Sequence, residues 1–283
     1  MKTLLMASAA LAMLGAAVPA TAKHHEKDEV AMTDTSLQAV LDHERRAEDK
    51  ARDVYRHPAE TLAFFGVTAD QTVAEYAPGG GWYTKILAPY LAEKGQYIGV
   101  NYDPAPLPFP EERKAAMAKW GAEFPAKVAE MTGLPADKFK GLTTGEVTDD
   151  MAGTVDFAFI PRMMHNLMRW NVADSEIKAL RKLLKDDGTI GIVQHRAKDD
   201  APYSYASGGR GYLRTDAVVK FMEAHGFALV KESEINANPK DSADYPKGVW
   251  TLPPRFAEGD ADKAKYEAIG ESDRMTLLFK KLP

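Results

Sequence analysis

A run of three glycines is the clearest candidate for chemistry in this sequence. It lies in Glu75-Tyr76-Ala77-Pro78-Gly79-Gly80-Gly81-Trp82, with an acidic residue before it and an aromatic residue after it. Glycine has no β-carbon, so a turn built from glycines lets a ligand approach the backbone closely. The Glu75 carboxylate can accept hydrogen bonds from a cationic or hydroxyl-bearing ligand. The alternative is a flexible connector that binds nothing.

The flanking residues predict the elements that would position this turn. Gln71–Tyr76 is a short strand candidate, apolar residues recur at helical spacing between Tyr83 and Leu91, and Tyr97–Val100 predicts a second strand. Pro89 removes one backbone donor, which predicts that the helix is short or kinked. The glycine turn therefore joins the first strand of a βαβ unit to its helix, where backbone N–H groups can bind a ligand.

Strands and helices alternate through the rest of the chain. Further strands are predicted at Val155–Ile160, Thr189–Val193, Phe227–Glu232 and Met275–Lys280. Predicted helices are an amphipathic one from Leu37 to Tyr55, one capped by Asp174 and closed by Asp187-Gly188, and one over Leu213–His225 capped by Thr215. This alternation favours one α/β domain over residues 37–283, a doubly wound, mostly parallel sheet with helices on both faces. Residues 234–270, rich in Pro, Lys and Asp, are interpreted as an insertion.

The start of the chain resembles an export signal. Residues 1–22 combine a basic residue, Lys2, an apolar stretch and the small-residue cleavage site Ala20-Thr21-Ala22. The alternative, a retained membrane span, would need about 20 apolar residues, and this run has about 15. We expect a periplasmic or secreted protein that keeps no stable membrane insertion after cleavage. Residues 23–36 are interpreted as a disordered leader.

Composition excludes several classes of protein. The 283 residues contain no cysteine, which rules out disulfides, thiol nucleophiles and cysteine-ligated zinc. The formal net charge is −5, with acidic and basic residues interspersed, so no nucleic-acid surface is predicted. No metal site is predicted, and His24-His25 is interpreted as part of the solvated leader.

The glycine turn resembles the first motif of the class I S-adenosylmethionine-dependent methyltransferases. Gly79 and Gly81 match the second and third glycines of that motif, and Ala77 replaces the first. The form with Pro78 and Trp82-Tyr83-Thr84 looks like an exported bacterial subfamily of predicted methyltransferases, and the resemblance runs from Arg52-Asp53 to the terminal strand. It implies a Rossmann-like, seven-stranded sheet with an antiparallel last strand. It also implies S-adenosylmethionine as cofactor and a methyltransferase acting on a small-molecule acceptor.

The resemblance also implies cofactor contacts beyond Glu75, Ala77, Gly79–Gly81 and Trp82. In the family, the second strand ends on an acid that binds the ribose hydroxyls. Here Asn101 follows that strand, and Asp103 is the acid that can take over. Glu146 falls near the expected adenine site, with a solvated loop acid as the alternative.

The reaction site implied by the resemblance follows the fourth strand. It contains Arg162, His165 and Asn166, where His165 could act as a base and Asn166 or Arg162 could orient the acceptor. The alternative for His165 is a structural role. His195 and Arg196 follow the fifth strand, and Ser207–Gly211 is interpreted as a mobile lid, with an ordinary exposed loop as the alternative.

Two other functions stay open at this stage. One is a nucleotide-dependent oxidoreductase, although the glycine spacing does not reproduce Gly-x-Gly-x-x-Gly. The other is an exported ligand-binding or stress-related protein that keeps the fold without catalysis. Residues 160–163 do not form an Asn/Asp-Pro-Pro-Tyr/Phe sequence, which argues against an adenine or glutamine amide acceptor. The acceptor and the oligomeric state are not predicted.

Overall fold

The computed structural model describes residues 35–283. The predicted signal and all but the last two residues of the predicted leader lie outside the described residues. The strands are β1 (Thr72–Tyr76), β2 (Gln96–Asn101), β3 (Phe139–Thr143), β4 (Val155–Pro161), β5 (Leu184–His195), β6 (Phe227–Ser233) and β7 (Arg274–Lys281). The α-helices are α1 (Thr35–Asp42), α2 (Asp53–Arg56), α3 (Pro58–Phe65), α4 (Thr84–Leu91), α5 (Glu111–Ala118), α6 (Trp120–Thr132), α7 (Met164–Arg169), α8 (Ala173–Leu183), α9 (Tyr203–Ala206), α10 (Thr215–Ala224) and α11 (Lys263–Ile269). Within residues 35–283, no helix is both long and apolar enough to cross a membrane.

The seven strands form one sheet in the order β3-β2-β1-β4-β5-β7-β6. The pairs β1–β2, β1–β4, β2–β3 and β4–β5 are parallel, whereas β7 runs antiparallel to both β5 and β6. This confirms the predicted seven-stranded, Rossmann-like sheet with an antiparallel last strand. The order reverses between β1 and β4, which is where open α/β sheets bind ligands.

Alternate residues of the strands bury opposite faces of the sheet. In β1, Val73 packs in a cluster with residues of α1, α3, α4 and α6. Its neighbour Ala74 packs in a second cluster, with residues of α7, α8 and α10. Because successive side chains of a strand point to opposite faces, each face of the sheet packs against its own set of helices. This is the arrangement that the doubly wound prediction requires.

The single helix predicted over residues 37–55 is wrong. The chain leaves the helical conformation at His43 (φ −61°, ψ 142°), makes two short 3₁₀ turns and resumes as α2. The cause is tertiary, because the Arg46 side chain is fully buried and donates hydrogen bonds to the Leu41 carbonyl oxygen and to Asp53. A continuous helix would not place those three residues around one guanidinium.

Two predicted caps and one predicted helix end are also wrong. Asp174 lies in the first turn of α8, where it accepts a hydrogen bond from Lys178 at 3.0 Å. Thr215 is the first residue of α10, after Arg214 at the cap position. Helix α8 ends at Leu183, and β5 begins at the next residue, Leu184, which pairs with Val155. The predicted helix end at Asp187-Gly188 therefore lies inside β5.

No helix or strand bounds were predicted within residues 105–143, where the structure has α5, α6 and β3. Pro89 does lie inside α4, which is eight residues long, as the prediction of a short helix requires. Between β6 and β7 the chain forms a 3₁₀ turn at Gly248–Thr251 and then α11.

Candidate active site

The glycine turn joins β1 to α4 with alternating left-handed residues. The φ angles of Ala77, Gly79 and Gly81 are +50°, +58° and +78°, a conformation that residues with side chains adopt at a cost. A β-carbon on Gly81 would lie 2.5 Å from the sulfur of Met131 in α6. A β-carbon on Gly80 would meet nothing within 4 Å. The positive φ angle of Gly81 favours glycine at that position, whereas Gly80 borders open space.

Trp82 closes the inner side of this turn. Its ring is buried, its Nε1 donates to the Asp49 carbonyl oxygen at 3.3 Å, and the Arg56 guanidinium lies 4.6 Å from the ring centroid. Trp82 thus holds the segment before α2 against the glycine turn.

Glu75 is buried below the turn and is held by protein groups. Its Oε2 accepts hydrogen bonds from Tyr97 Oη at 2.6 Å and Thr84 Oγ1 at 3.0 Å, which ties β1 to β2 and α4. Burial raises the pKa of Glu75 to about 7, although both hydrogen bonds act in the opposite direction. The Glu75 carboxyl therefore stabilises the glycine turn through its hydrogen bonds to Tyr97 and Thr84.

We expect Glu75 to make stability depend on pH. Because the folded protein binds the Glu75 proton more tightly than the unfolded chain does (ordinary pKa 4.5), stability should fall as pH rises from 4.5 through 7. The loss should approach about 3 kcal/mol. Urea unfolding at pH 5 and pH 8 checks this. Between these two pH values, the Glu75→Gln protein should lose less free energy of unfolding than the wild type. The same pH slope in both proteins would contradict the assignment.

The ends of β2 and β3 bring Asn101, Asp103 and the Thr144-Gly145 turn together. The Asp103 backbone N–H donates to Thr144 Oγ1 at 2.8 Å and to Glu176 Oε1 at 3.2 Å. A β-carbon on Gly145 would lie 2.9 Å from the Asp103 carboxyl carbon, so the two segments touch. Asn101 Oδ1 accepts from the Tyr102 backbone N–H at 3.0 Å.

Glu146 serves its own turn. Its Oε2 accepts hydrogen bonds from the backbone N–H of Thr143 at 2.6 Å and from Thr143 Oγ1 at 3.0 Å, which completes a capping box. The residue itself is exposed. This geometry matches the loop-acid alternative more closely than an adenine contact.

Glu176 is a polar residue of this region that was not predicted from the sequence. It is 1% exposed and accepts hydrogen bonds from Tyr76 Oη and Thr144 Oγ1, both at 2.7 Å. It therefore links α8 to the ends of β1 and β3. One signal was present in the sequence, because Glu176 lies four positions before Leu180, on the apolar face of α8.

Arg162, His165 and His195 come together at the ends of β4 and β5. Arg162 takes a left-handed conformation (φ +58°), and its guanidinium makes no hydrogen bond or ion pair among residues 35–283. The rings of His165 and His195 are 5.5 Å apart. Asn166 donates to the Met163 sulfur at 3.0 Å, and its buried Oδ1 has no partner in the described part of the chain.

Both histidines are neutral at pH 7. Burial lowers the pKa of His165 to about 4, against a weaker opposing effect of Gln194, whose Oε1 lies 3.3 Å from Nδ1. Burial also lowers the pKa of His195 well below its usual range, and its Nδ1 lies 2.5 Å from Ser272 Oγ. A neutral imidazole can hold a substrate hydroxyl and accept its proton during a reaction.

The predicted lid lies against His165. A β-carbon on Gly208 would come within 2.5 Å of the His165 carbonyl oxygen, and the Trp250 ring lies 6.0 Å from the His165 ring. Arg196, in contrast, is held by Glu234 and Asp273 at 2.6 and 2.9 Å. These ion pairs link the end of β5 to the end of β6 and the start of β7.

A separate groove of about 760 Å³ is not lined by the glycine turn, Arg162 or the two histidines. Residues of both charges line it, including Arg196, Lys198, Arg214, Glu232 and Glu234. Its mixed charge gives it no defined ligand chemistry. The glycine turn and the neighbouring ends of β2 to β5 therefore form the stronger candidate.

Solved structures with a similar fold include S-adenosylmethionine-dependent methyltransferases. No protein-family profile and no curated protein sequence matches the chain. A methyltransferase of this kind from Aquifex aeolicus has 16% sequence identity and a TM-score of 0.51, over 87% of this chain and 98% of the other. The 1,6-didemethyltoxoflavin-N1-methyltransferase from Burkholderia thailandensis, solved with S-adenosylhomocysteine, has 13% identity and a TM-score of 0.46 over 88% and 90%. The chain has the fold of this class.

Proposed function

We propose that the protein transfers a methyl group from S-adenosylmethionine to a small-molecule acceptor. The observation that carries the proposal is the glycine turn, which leaves open space over Gly80 at the point where the strand order reverses. Such a turn admits a ligand against the backbone, and the ends of β2, β4 and β5 supply polar groups beside it. Export to the periplasm or medium is part of the proposal and rests on residues 1–22.

Residues around the turn fit the cofactor. The open space over Gly80 can admit the amino-acid portion of the cofactor. The Asn101 amide and Asp103 carboxylate can bind ribose hydroxyls. The cofactor supplies an electrophilic methyl group on a sulfonium. The chain has to hold the acceptor in line with that methyl group. His165, Asn166 and Arg162 are the groups placed to do so.

Labelled methyl groups provide the test of transfer. The protein is incubated with methyl-labelled S-adenosylmethionine and the low-molecular-weight fraction of a bacterial extract. Label transferred to an acceptor and formation of the unlabelled co-product S-adenosylhomocysteine are both measured. We expect product that depends on the extract and disappears in the Gly80→Val protein. Tight cofactor binding without any product in fractionated extracts would instead support a binding protein.

We expect the methyl-transfer rate to be independent of His165 protonation between pH 6 and 8. The imidazole, with a pKa of about 4, is already neutral there, so the rate should fall only as pH approaches 4. His165→Gln should lower kcat by about 100-fold and leave the Kd for S-adenosylhomocysteine unchanged. An inflection near pH 6.5 that disappears in the variant would contradict the buried, neutral histidine.

A further inference from the structure

Four arginines surround a single carboxylate beside the glycine turn. Glu271 Oε1 accepts a hydrogen bond from Arg52 Nε at 2.6 Å, and Oε2 accepts from Arg56 Nε at 3.0 Å and from Arg274. Arg162 belongs to the same electrostatic cluster but has no ion pair in residues 35–283. We call these four arginines and Glu271 the arginine cluster. Its positive charges exceed its negative charge by three.

Burial makes this excess of charge unusual. Arg56 and Arg274 are each only 2% exposed, and Arg56 Nη1 is buried with no hydrogen-bond partner in the described structure. Buried guanidinium N–H groups normally have partners, because leaving one unpaired costs free energy. Burial and, to a smaller extent, Arg274 also lower the pKa of Arg162. An anion is the partner that this arrangement lacks.

The arginine cluster is continuous with the proposed reaction site. Arg274 pairs with His195 in the β5–β7 register, and its Nε donates to Ser272 Oγ at 3.4 Å. The same hydroxyl contacts His195 Nδ1. On the other side, Arg56 packs over Trp82 of the glycine turn. A ligand group on the arginines would thus lie between the turn and the two histidines.

We propose that the methyl acceptor is a small molecule with an anionic oxygen group, a carboxylate or a phosphate, which Arg56, Arg162 and Arg274 bind. Guanidinium groups hold such oxygens through paired N–H donors, and an anion would neutralise part of the excess charge. This inference rests on the proposed function for the acceptor's role, whereas the anion site itself is defined by the arginines. The cofactor's own carboxylate is the competing source of an anion.

Calorimetric titrations with inorganic phosphate and with succinate test the proposal. Each is added to the protein at constant ionic strength, with and without saturating S-adenosylhomocysteine. We expect saturable binding of at least one probe in both conditions. Arg162→Gln should weaken it at least about tenfold, while the Kd for S-adenosylhomocysteine stays within twofold. Arg162→Lys should bind with intermediate strength, because it keeps the charge without the paired donors.

A second readout separates anion binding from a structural role. Because Arg162→Gln relieves repulsion, the variant without added anion should melt about 2–4 °C higher than the wild type. Arg214→Gln, at an exposed arginine paired with Asp216, should change neither the melting temperature nor probe binding.

Three results would overturn the proposal. Binding of both probes no stronger than that of chloride would exclude an anion site. Probe binding that S-adenosylhomocysteine abolishes, together with a tenfold loss of S-adenosylhomocysteine affinity in Arg162→Gln, would assign the arginines to the cofactor. A lower melting temperature in Arg162→Gln would show that the guanidinium stabilises the fold. Failure of the cofactor to bind, with phosphate or succinate still bound, would refute the proposed methyltransferase function and leave the anion site.

Discussion

Gly80→Val is expected to weaken S-adenosylhomocysteine binding at least about 100-fold while the protein stays folded. Gly80 has an ordinary φ angle and open space where its β-carbon would be, so valine meets no protein atom there. The new methyl groups would instead occupy the space in which the ligand must approach the backbone. Calorimetry with S-adenosylhomocysteine measures the loss of affinity, and circular dichroism measures folding.

A smaller substitution controls this result. Gly80→Ala adds only one carbon and should show a smaller loss of affinity than Gly80→Val. If Gly80→Val bound S-adenosylhomocysteine normally, the glycine turn would not be the cofactor site.

Glu271→Gln is expected to lower the free energy of unfolding by about 3–5 kcal/mol, because it leaves buried cations without their counter-ion. Burial alone would raise the pKa of Glu271, but the four neighbouring arginines lower it to about 2. Its stabilising charge is therefore present above pH 4.5, the ordinary pKa, and is lost as pH falls from 4.5 towards 2. Urea unfolding of both proteins at pH 7 and pH 3 measures the effect, and the difference between them should shrink at pH 3.

Glu234→Gln is the matched control for this variant. Glu234 also pairs with an arginine, Arg196, at 2.6 Å, but its side chain is 68% exposed. Exposed ion pairs contribute about 0–1 kcal/mol, so this variant should unfold almost like the wild type. Equal losses in the two variants would contradict the special role of the buried arginine cluster.

The features predicted correctly from the sequence are local. Strand β1, the glycine turn and α4 follow one another within 20 residues, and their periodicity and glycines are visible without knowledge of the fold. The order of elements was enough to predict a doubly wound sheet. The same local signals failed over residues 37–55, where the buried Arg46 overrides an amphipathic period. Propensity alone does not reveal such tertiary partners.

The parts of the candidate site that escaped prediction join distant residues. Arg52 and Glu271 are 219 positions apart, and only the packing of β7 beside β5 brings Glu271 to the glycine turn. Glu176 joins Tyr76 across 100 positions. Arg162 and His165 were predicted because they follow a strand end in the chain. Their relation to Arg56 and Arg274 depends on the fold.

Calorimetric titration of the protein with S-adenosylmethionine and S-adenosylhomocysteine, with NAD as a comparison, tests the central claim most directly. We expect both methionine-derived ligands to bind with Kd values in the micromolar range, about −8 kcal/mol, and NAD to give no binding. Binding of NAD alone would contradict the claim and favour an oxidoreductase. Absence of binding by all three ligands would contradict the assignment of the glycine turn as a cofactor site.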